Sequence, residues 1–480
     1  MTAPRIAFQN PPAELLARFD VPGPRYTSYP TADRFVEAFG MDDYGLALQQ
    51  RHCQPRVHQR PLSLYVHIPF CAQLCYYCAC NKVITRHPER ADAYLHHLEQ
   101  EAALVVQHLQ ASSPEADTNH GPARLPEVSQ LHLGGGSPTF LSDEQLTTLM
   151  ALLRRHFHLM PDAECSVEVD PRTVDAARLA HLRQIGFNRL SLGVQDFNPK
   201  VQEAVHRVQA TQEVFSLMLA ARALGFHSIN VDLIYGLPRQ SHETFAHTLV
   251  LLLALRPDRV ALYGYAHLPE RFKAQRRIDA ERLPDTKEKV AMQVLALQAL
   301  AEAGYINIGM DHFALPGDSL AMAKARGQLH RNFQGYSTQP DSDLIGLGVS
   351  AISKVGTTYS QNARELDEYY DRLEQEELPV VRGLALNRDD LVRRTVIMAL
   401  MCQGVVQFEA VELANLLDFK TYFAQELQAL EEFAEQGLVH ISDTSIEVTD
   451  SGWTFIRAIA MVFDRYLQAD RNRNRFSRIL

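Results

Sequence analysis

Across the first two thirds of the chain, short apolar or β-branched runs alternate with longer stretches of helical period. The strand-like runs are LSLYVHI (62–68), VSQLHLG (128–134), ECSVEVD (164–170), RLSLGVQ (189–195), SINVDLI (228–234) and RVALYGY (259–265). Helical patterns fall at about 89–110, 143–156, 173–184, 211–224, 241–255 and 286–303, with Ser142 as an N-cap and Glu144 in the following first turn. Strand–helix alternation predicts βαβ units on a parallel sheet. Six repeats predict an α/β fold, a closed barrel or a partial (β/α)6, TIM-like barrel. Functional residues in such a fold gather at the C-terminal ends of the strands.

The rhythm stops near 315. A polar, irregular stretch leads to an apolar, glycine-rich run, DLIGLGVSAISKVG (343–356), and from about 385 the chain is strongly helical. EEFAEQGLVHISDTSIEVTDSGWTFIRAIAMVFDRYL reads as helix, strand, turn, strand, helix, which is a winged-helix-like order. The expected organisation is an N-terminal extension over the substrate site (1–60), the barrel (61–315), a linking segment (316–384) and a mostly helical C-terminal domain (385–480).

Composition changes this picture little. The 480 residues are 46% hydrophobic and 22% charged, ordinary for a soluble globular chain. A net charge of −10 argues against a nucleic-acid partner. No stretch approaches the roughly 20 apolar residues of a membrane span. The opening MTAPRIAFQNPPAELL has no basic stretch followed by an apolar one. The expectation is a cytoplasmic protein, where clustered cysteines serve metals or redox chemistry rather than disulfides.

Four of the seven cysteines lie in CAQLCYYCAC (71–80), directly after the first strand. Cys71, Cys75 and Cys78 have C-x3-C-x2-C spacing. Thiolates suit iron–sulfur clusters, copper(I) or zinc. A cubane cluster ordinarily takes four cysteines, so three in one loop leave one iron open to a ligand. Cys80 lies on the same side of an extended loop as Cys78 and faces either the metal or a substrate. The competing reading puts all four thiolates on one zinc, but zinc sites are usually built from two separated cysteine pairs.

Other motifs end later strands. HLGGGSPT (132–139) lets backbone approach a ligand closely. SVEVDPR (166–172) places Glu168 and Asp170 on one face. SLGVQDFN supplies Gln195 and Asp196, followed by Arg207 and by Asp232 in INVDLIYGLP. Each alone reads as a cap or surface group. Their recurrence at successive strand ends favours a shared site.

YVHIPFCAQLCYYCACNK resembles the cluster loop of the radical S-adenosylmethionine (SAM) superfamily. The resemblance implies that Cys71, Cys75 and Cys78 hold a [4Fe–4S] cluster whose open iron chelates SAM. It also implies that Tyr77 packs near the adenine and that Gly135, Gly136 and Ser137 form the loop that meets the SAM amino group. With RYTSYPT (25–31), LGGGSPTFL, VEVDPR, LSLGVQDF, INVDLIYGLP, YAHLP, MDHFALP, HRNFQGYST and IGLGVSAIS, the chain resembles the oxygen-independent coproporphyrinogen III oxidase family nearly end to end. Heme chaperones on the same fold, a trafficking alternative, usually lack the C-x-C-N-K form and the RYTSYPT lead-in.

The family resemblance implies anaerobic heme biosynthesis, in which two propionates of coproporphyrinogen III become vinyl groups of protoporphyrinogen IX. It implies two SAM molecules. The first meets Tyr65, Gly135, Glu168, Gln195, Arg207, Asp232 and Ala266; the second lies near Phe333, Gln334 and Ile352. In this family the last cysteine of C-x-C-N-K is not a cluster ligand, and Cys80, Tyr65 and Glu168 stand as catalytic candidates. Arg25, Lys82 and Arg331 are candidates for holding substrate carboxylates. The expected partners are a flavodoxin- or ferredoxin-type electron donor and an unknown acceptor, with the protein a monomer.

Overall fold

A computed structural model describes residues 12–52, 60–111, 124–339, 342–469 and 476–479. Parts of the expected N-terminal extension, 1–11 and 53–59, lie outside these residues, as does Cys53.

Six parallel strands form the barrel wall: β1 (Leu62–Ile68), β2 (Glu127–Gly135), β3 (His158–Val169), β4 (Arg189–Gln195), β5 (Ser228–Tyr235) and β6 (Arg259–Gly264). They neighbour one another in sequence order. The helices between and after them are α1 (Arg90–Gln110), α2 (Asp143–His156), α3 (Ala176–Ile185), α4 (Thr211–Ala223), α5 (His242–Leu255) and α6 (Thr286–Glu302). In β1 the even positions Leu62, Leu64, Val66 and Ile68 are fully buried on the helix side. Each such side chain contributes about 1.5–3 kcal/mol. The odd positions Ser63, Tyr65 and His67 are left for the interior. Ser142 caps α2 in a reciprocal box with Gln145, which fixes where that helix begins.

Additional strands extend both edges of this wall. β7 (Ile306–Gly309) and β8 (His312–Ala314) add antiparallel to β6. A hairpin follows, β9 (His330–Asn332) and β10 (Gly335–Ser337). On the far side β11 (Leu344–Leu347) runs parallel to β1, and β12 (Ile352–Val355), β13 (Thr358–Asn362) and β14 (Val380–Ala385) continue antiparallel into a twelve-stranded sheet. The 343–356 run is therefore built into the wall rather than draped over it. At the N-terminal strand ends, the Arg259–Asp318 ion pair (2.9 Å) ties the 318–338 segment to the wall, and Arg189, paired with Glu164 (2.7 Å), donates to Ser319 (3.3 Å). Thr338, bonded to Glu164, belongs to the same closure. The C-terminal strand ends carry the site loops.

A second core joins α7 (Arg388–Gln403), α8 (Ala424–Glu435) and a small sheet to the N-terminal segment through Phe19, Tyr26 and Tyr29. The small sheet, β15 (Val405–Gln407), β16 (Val439–Ile441) and β17 (Ser445–Val448), has the order β15-β17-β16 and gives the region its winged-helix-like form. Tyr26 donates to Asp464 (2.9 Å), and buried Arg457 donates to the carbonyls of Gly23, Pro24 (3.0 Å) and Arg478 (3.0 Å). RYTSYPT is thus anchored by the C-terminal domain and presents Arg25 to the barrel. Among the described residues no helix is long and apolar enough to cross a membrane.

Candidate active site

The cysteine loop leaves β1 and crosses the mouth of the barrel. Tyr76 donates its N–H to the Val205 carbonyl (3.0 Å), and the Tyr77 carbonyl accepts from Gln275 (3.1 Å). Tyr77 packs against a small apolar cluster that includes Val201, Leu237 and Tyr265. Cys75 is buried, whereas Cys71 and Cys78 are half-buried. The three thiols are close enough to interact. Burial pushes Cys71 up to about 12, and the charges of Cys78 and Cys75 add to that push. Such a thiol is deprotonated by binding a metal rather than by water.

Two guanidiniums converge on Cys75. Arg207 Nη1 lies 3.5 Å and Arg172 Nη2 3.6 Å from its Sγ. Asp170 holds both, accepting from Arg207 (3.1 Å) and, on two oxygens, from Arg172 (2.7–3.2 Å). The Arg172, Arg207 and Asp170 side chains are all largely buried. This triad has a net charge of +1 and suits an anionic thiolate–cluster assembly. A zinc site would need four thiolates around one point. Among the described residues no three His, Cys, Asp or Glu side chains converge on a single ion. A cubane binds each thiolate through a different iron, so its ligands need only surround a shared volume.

The neighbouring Cys80 side chain, and then the Lys82 charge, favour the Cys78 thiolate and lower that thiol to about 6; burial opposes them. The same proximity, from the other side, raises Cys80. Cys80 is exposed. The Lys82 ammonium donates to the Cys78 and Cys80 carbonyls, both at 3.3 Å, and braces the loop.

Polar side chains line the wall below. His67 Nε2 donates to the Asn81 carbonyl (3.0 Å), and burial keeps the imidazole neutral. Its Nδ1 is therefore the acceptor for the Tyr65 hydroxyl (3.1 Å). Tyr65 stacks on His132 with centroids 5.9 Å apart. Glu168 accepts from the Gly135 N–H (3.1 Å) and faces His132 Nε2 at 3.4 Å. Asp232 accepts from Asn230 (2.7 Å) and Ser191 (3.1 Å). Burial, and then the charge of Glu168, raises its carboxyl to about 6. Two acids beside one arginine suit a guest carrying both ammonium and carboxylate, as SAM does.

Gly135 has φ of +118°, and a Cβ there would lie 2.7 Å from the His67 ring. At Gly136 a Cβ would meet the Pro69 carbonyl oxygen at 2.6 Å. The Ser137 N–H is held by the Phe70 carbonyl (3.0 Å). Gln195 sits at a register shift ending β4, with φ of +68°, and Ala266 lies partly buried just after β6. The 330–337 hairpin reaches β1 through Gln334, bonded to the Leu64 carbonyl (3.5 Å). Phe333 packs edge-on to Tyr359 (5.7 Å), and Ile352 opens β12.

Of the three candidate carboxylate binders, Arg25 is paired to Asp311 (2.5 Å) and Lys82 is occupied by the loop carbonyls. Arg331 donates to the carbonyls of Tyr26 (3.2 Å) and Arg25 (3.3 Å), leaving a buried Nη1 without a partner. Sequence reasoning missed Arg172, His67, Asn81 and His132 as site residues. All lie within or beside the motifs that carried the resemblance.

The model of the Radical SAM superfamily matches residues 65–252, and that of the HemN C-terminal domain matches 386–455. Relatives named oxygen-independent coproporphyrinogen III oxidase include one from Pseudomonas aeruginosa, 49% identical over 98% of this chain and 98% of its own length. One from Escherichia coli K12 is 47% identical over 97% of this chain and 98% of its own. A solved structure described as coproporphyrinogen III oxidase (HemN) from Escherichia coli, a radical SAM enzyme, superposes with a TM-score of 0.85 at 47% identity. It covers 92% of this chain and 97% of that one.

Proposed function

Because the chain belongs to the oxygen-independent coproporphyrinogen III oxidase family of radical SAM enzymes, we propose that it converts two propionates of coproporphyrinogen III to vinyl groups, giving protoporphyrinogen IX. When bound, a [4Fe–4S] cluster and SAM would supply the one-electron chemistry for removing a hydrogen from the propionate β-carbon, the carboxyl leaving as carbon dioxide and the remaining electron passing to an external acceptor.

The chain's own residues bind, orient and shield. Cys71, Cys75 and Cys78 hold the cluster, and Arg172 and Arg207 donate to the Cys75 sulfur. The Gly135–Ser137 loop, Glu168, Gln195, Asp232 and Ala266 receive SAM, with Tyr77 against its adenine. Tyr65 is oriented by His67, which fixes its hydroxyl hydrogen toward the ring nitrogen. Cys80 is exposed two residues after Cys78 and is the proposed hydrogen donor or acceptor toward the substrate side chain. Phe333, Gln334 and Ile352 hold a second SAM. The observation that carries the reading is the three-cysteine loop at the mouth of the barrel, with Arg172 and Arg207 both donating to the Cys75 sulfur.

Anaerobic equilibrium binding of SAM to reconstituted protein tests the two-site part. Two equivalents per chain are expected, falling to one in Gln334→Ala. One equivalent in the unaltered protein would overturn it. Heme trafficking, the competing reading, predicts stoichiometric heme binding without SAM consumption.

A further inference from the structure

The loop after β6 carries Arg271, Lys273, Arg276 and Arg277 with no acidic residue among them, on a chain of net charge −10. All four are exposed. Glu270 and Asp279 flank the run, and Asp279 is engaged by Arg282 (3.4 Å). Between the cations, Ala274 and Gln275 are buried and fasten the run to the cysteine loop. Gln275 Nε2 donates to the carbonyl of Tyr77, the residue before Cys78. The Arg277 guanidinium lies 5.6 Å over the Tyr76 ring, the residue after Cys75. Tyr76 in turn stacks on His206, centroids 5.0 Å apart at 10°. A positive surface patch therefore sits directly against the residues that join two cluster ligands.

We propose that this patch is the docking surface for a small acidic one-electron carrier of the ferredoxin type. The inference rests on the radical SAM reading, which requires one electron from outside for each SAM cleaved. In the transfer the carrier's reduced iron–sulfur centre is oxidised by one electron and the cluster is reduced by one, with no bond made and no proton moved. A positive patch attracts an acidic partner, speeds encounter at low salt and fixes orientation. Contact at Tyr76, the residue after Cys75, sets the carrier beside the cysteine loop.

The test uses reconstituted full-length holoprotein and a purified acidic [2Fe–2S] ferredoxin as the probe. Binding is measured by calorimetry at low and high salt, and cluster reduction by rapid-mixing absorbance. In Lys273→Glu/Arg276→Glu the Kd rises and the reduction rate falls by about tenfold or more at low salt, and the salt dependence flattens. Reduction by dithionite is unchanged. The same charge change at Arg326 and Lys420, exposed residues outside this loop, leaves both readouts near those of the unaltered protein. Equal ferredoxin affinity and rate in the Lys273/Arg276 variant, with its cluster intact, overturns the docking surface and leaves the enzyme reading standing. A protein that takes up no iron or sulfide on reconstitution overturns both.

Discussion

Arg172 and Cys75 are 97 residues apart in the chain, and the Nη2 of one lies 3.6 Å from the Sγ of the other. Asp170 makes that approach possible by gripping Arg172 on two oxygens and Arg207 on one. Hydrogen bonds and positive charge at a ligand sulfur stabilise the reduced, more negative cluster. Arg172→Gln should therefore shift the cluster potential to more negative values, with Arg172→Lys in between. Redox titration followed by electron paramagnetic resonance checks this.

Removing the acid has a different consequence. Asp170→Ala leaves two buried guanidiniums without their shared counter-ion, at a cost of about 3–5 kcal/mol. Chemical unfolding under anaerobic conditions should show that loss, and iron content after reconstitution should drop. A stability within 1 kcal/mol of the unaltered protein would mean that the triad is not held as described.

Cys80 and the three cluster cysteines should separate by iron content. Serine at Cys71, Cys75 or Cys78 should lower iron and sulfide well below the complement of a [4Fe–4S] cluster. Cys80→Ser should keep that complement yet lose at least about 90% of turnover, roughly 1.4 kcal/mol or more in the barrier. Iron and sulfide analysis beside a turnover assay decides the assignment.

Gly135→Ala adds a methyl 2.7 Å from the His67 ring at a backbone φ of +118°. Strain at such a residue is on the order of 1–3 kcal/mol. The ring must move, which loosens its bond to Tyr65. SAM binding measured by equilibrium dialysis should weaken about tenfold or more, with the cluster retained.

The pH dependence of stability has a marked contributor outside the site. Glu101 on α1 is buried and accepts from Gly348 N–H (2.7 Å), Asn362 (2.6 Å) and Tyr369 (2.6 Å), fixing the glycine-rich turn after β11. Burial raises its carboxyl from 4.5 to about 7 against the lowering effect of those bonds. The folded state thus holds this proton more tightly than the unfolded state. Its contribution is fully present below pH 4.5 and is lost as pH rises through 7, on the order of 3 kcal/mol in all. Urea midpoints between pH 5 and 7.5 should fall with a slope that Glu101→Gln flattens.

Much of the barrel was legible because the signals are local. Each of the six strand runs lies within or overlaps its strand, and Ser142 marked a helix start through its own hydrogen bond. What escaped depends on partners distant in sequence. β11 reads as a short apolar run, and its parallel pairing to β1 is set by a crossover of nearly the whole barrel. Arg25 and Lys82 are candidates for substrate carboxylates in the sequence; the fold adds Asp311 and two loop carbonyls as their partners, and no spacing rule announces those partners. Arg172 looked like the end of a motif until the fold brought Cys75 beside it.

The central claim is tested most directly by an anaerobic product assay. Reconstituted protein is given reductant, SAM, coproporphyrinogen III and a cell extract as electron acceptor; the porphyrins are then oxidised and resolved. The account predicts protoporphyrin, formed only with SAM and absent in Cys75→Ser. Protein with a full iron and sulfide complement that forms no protoporphyrin, while a positive-control extract does, would contradict it.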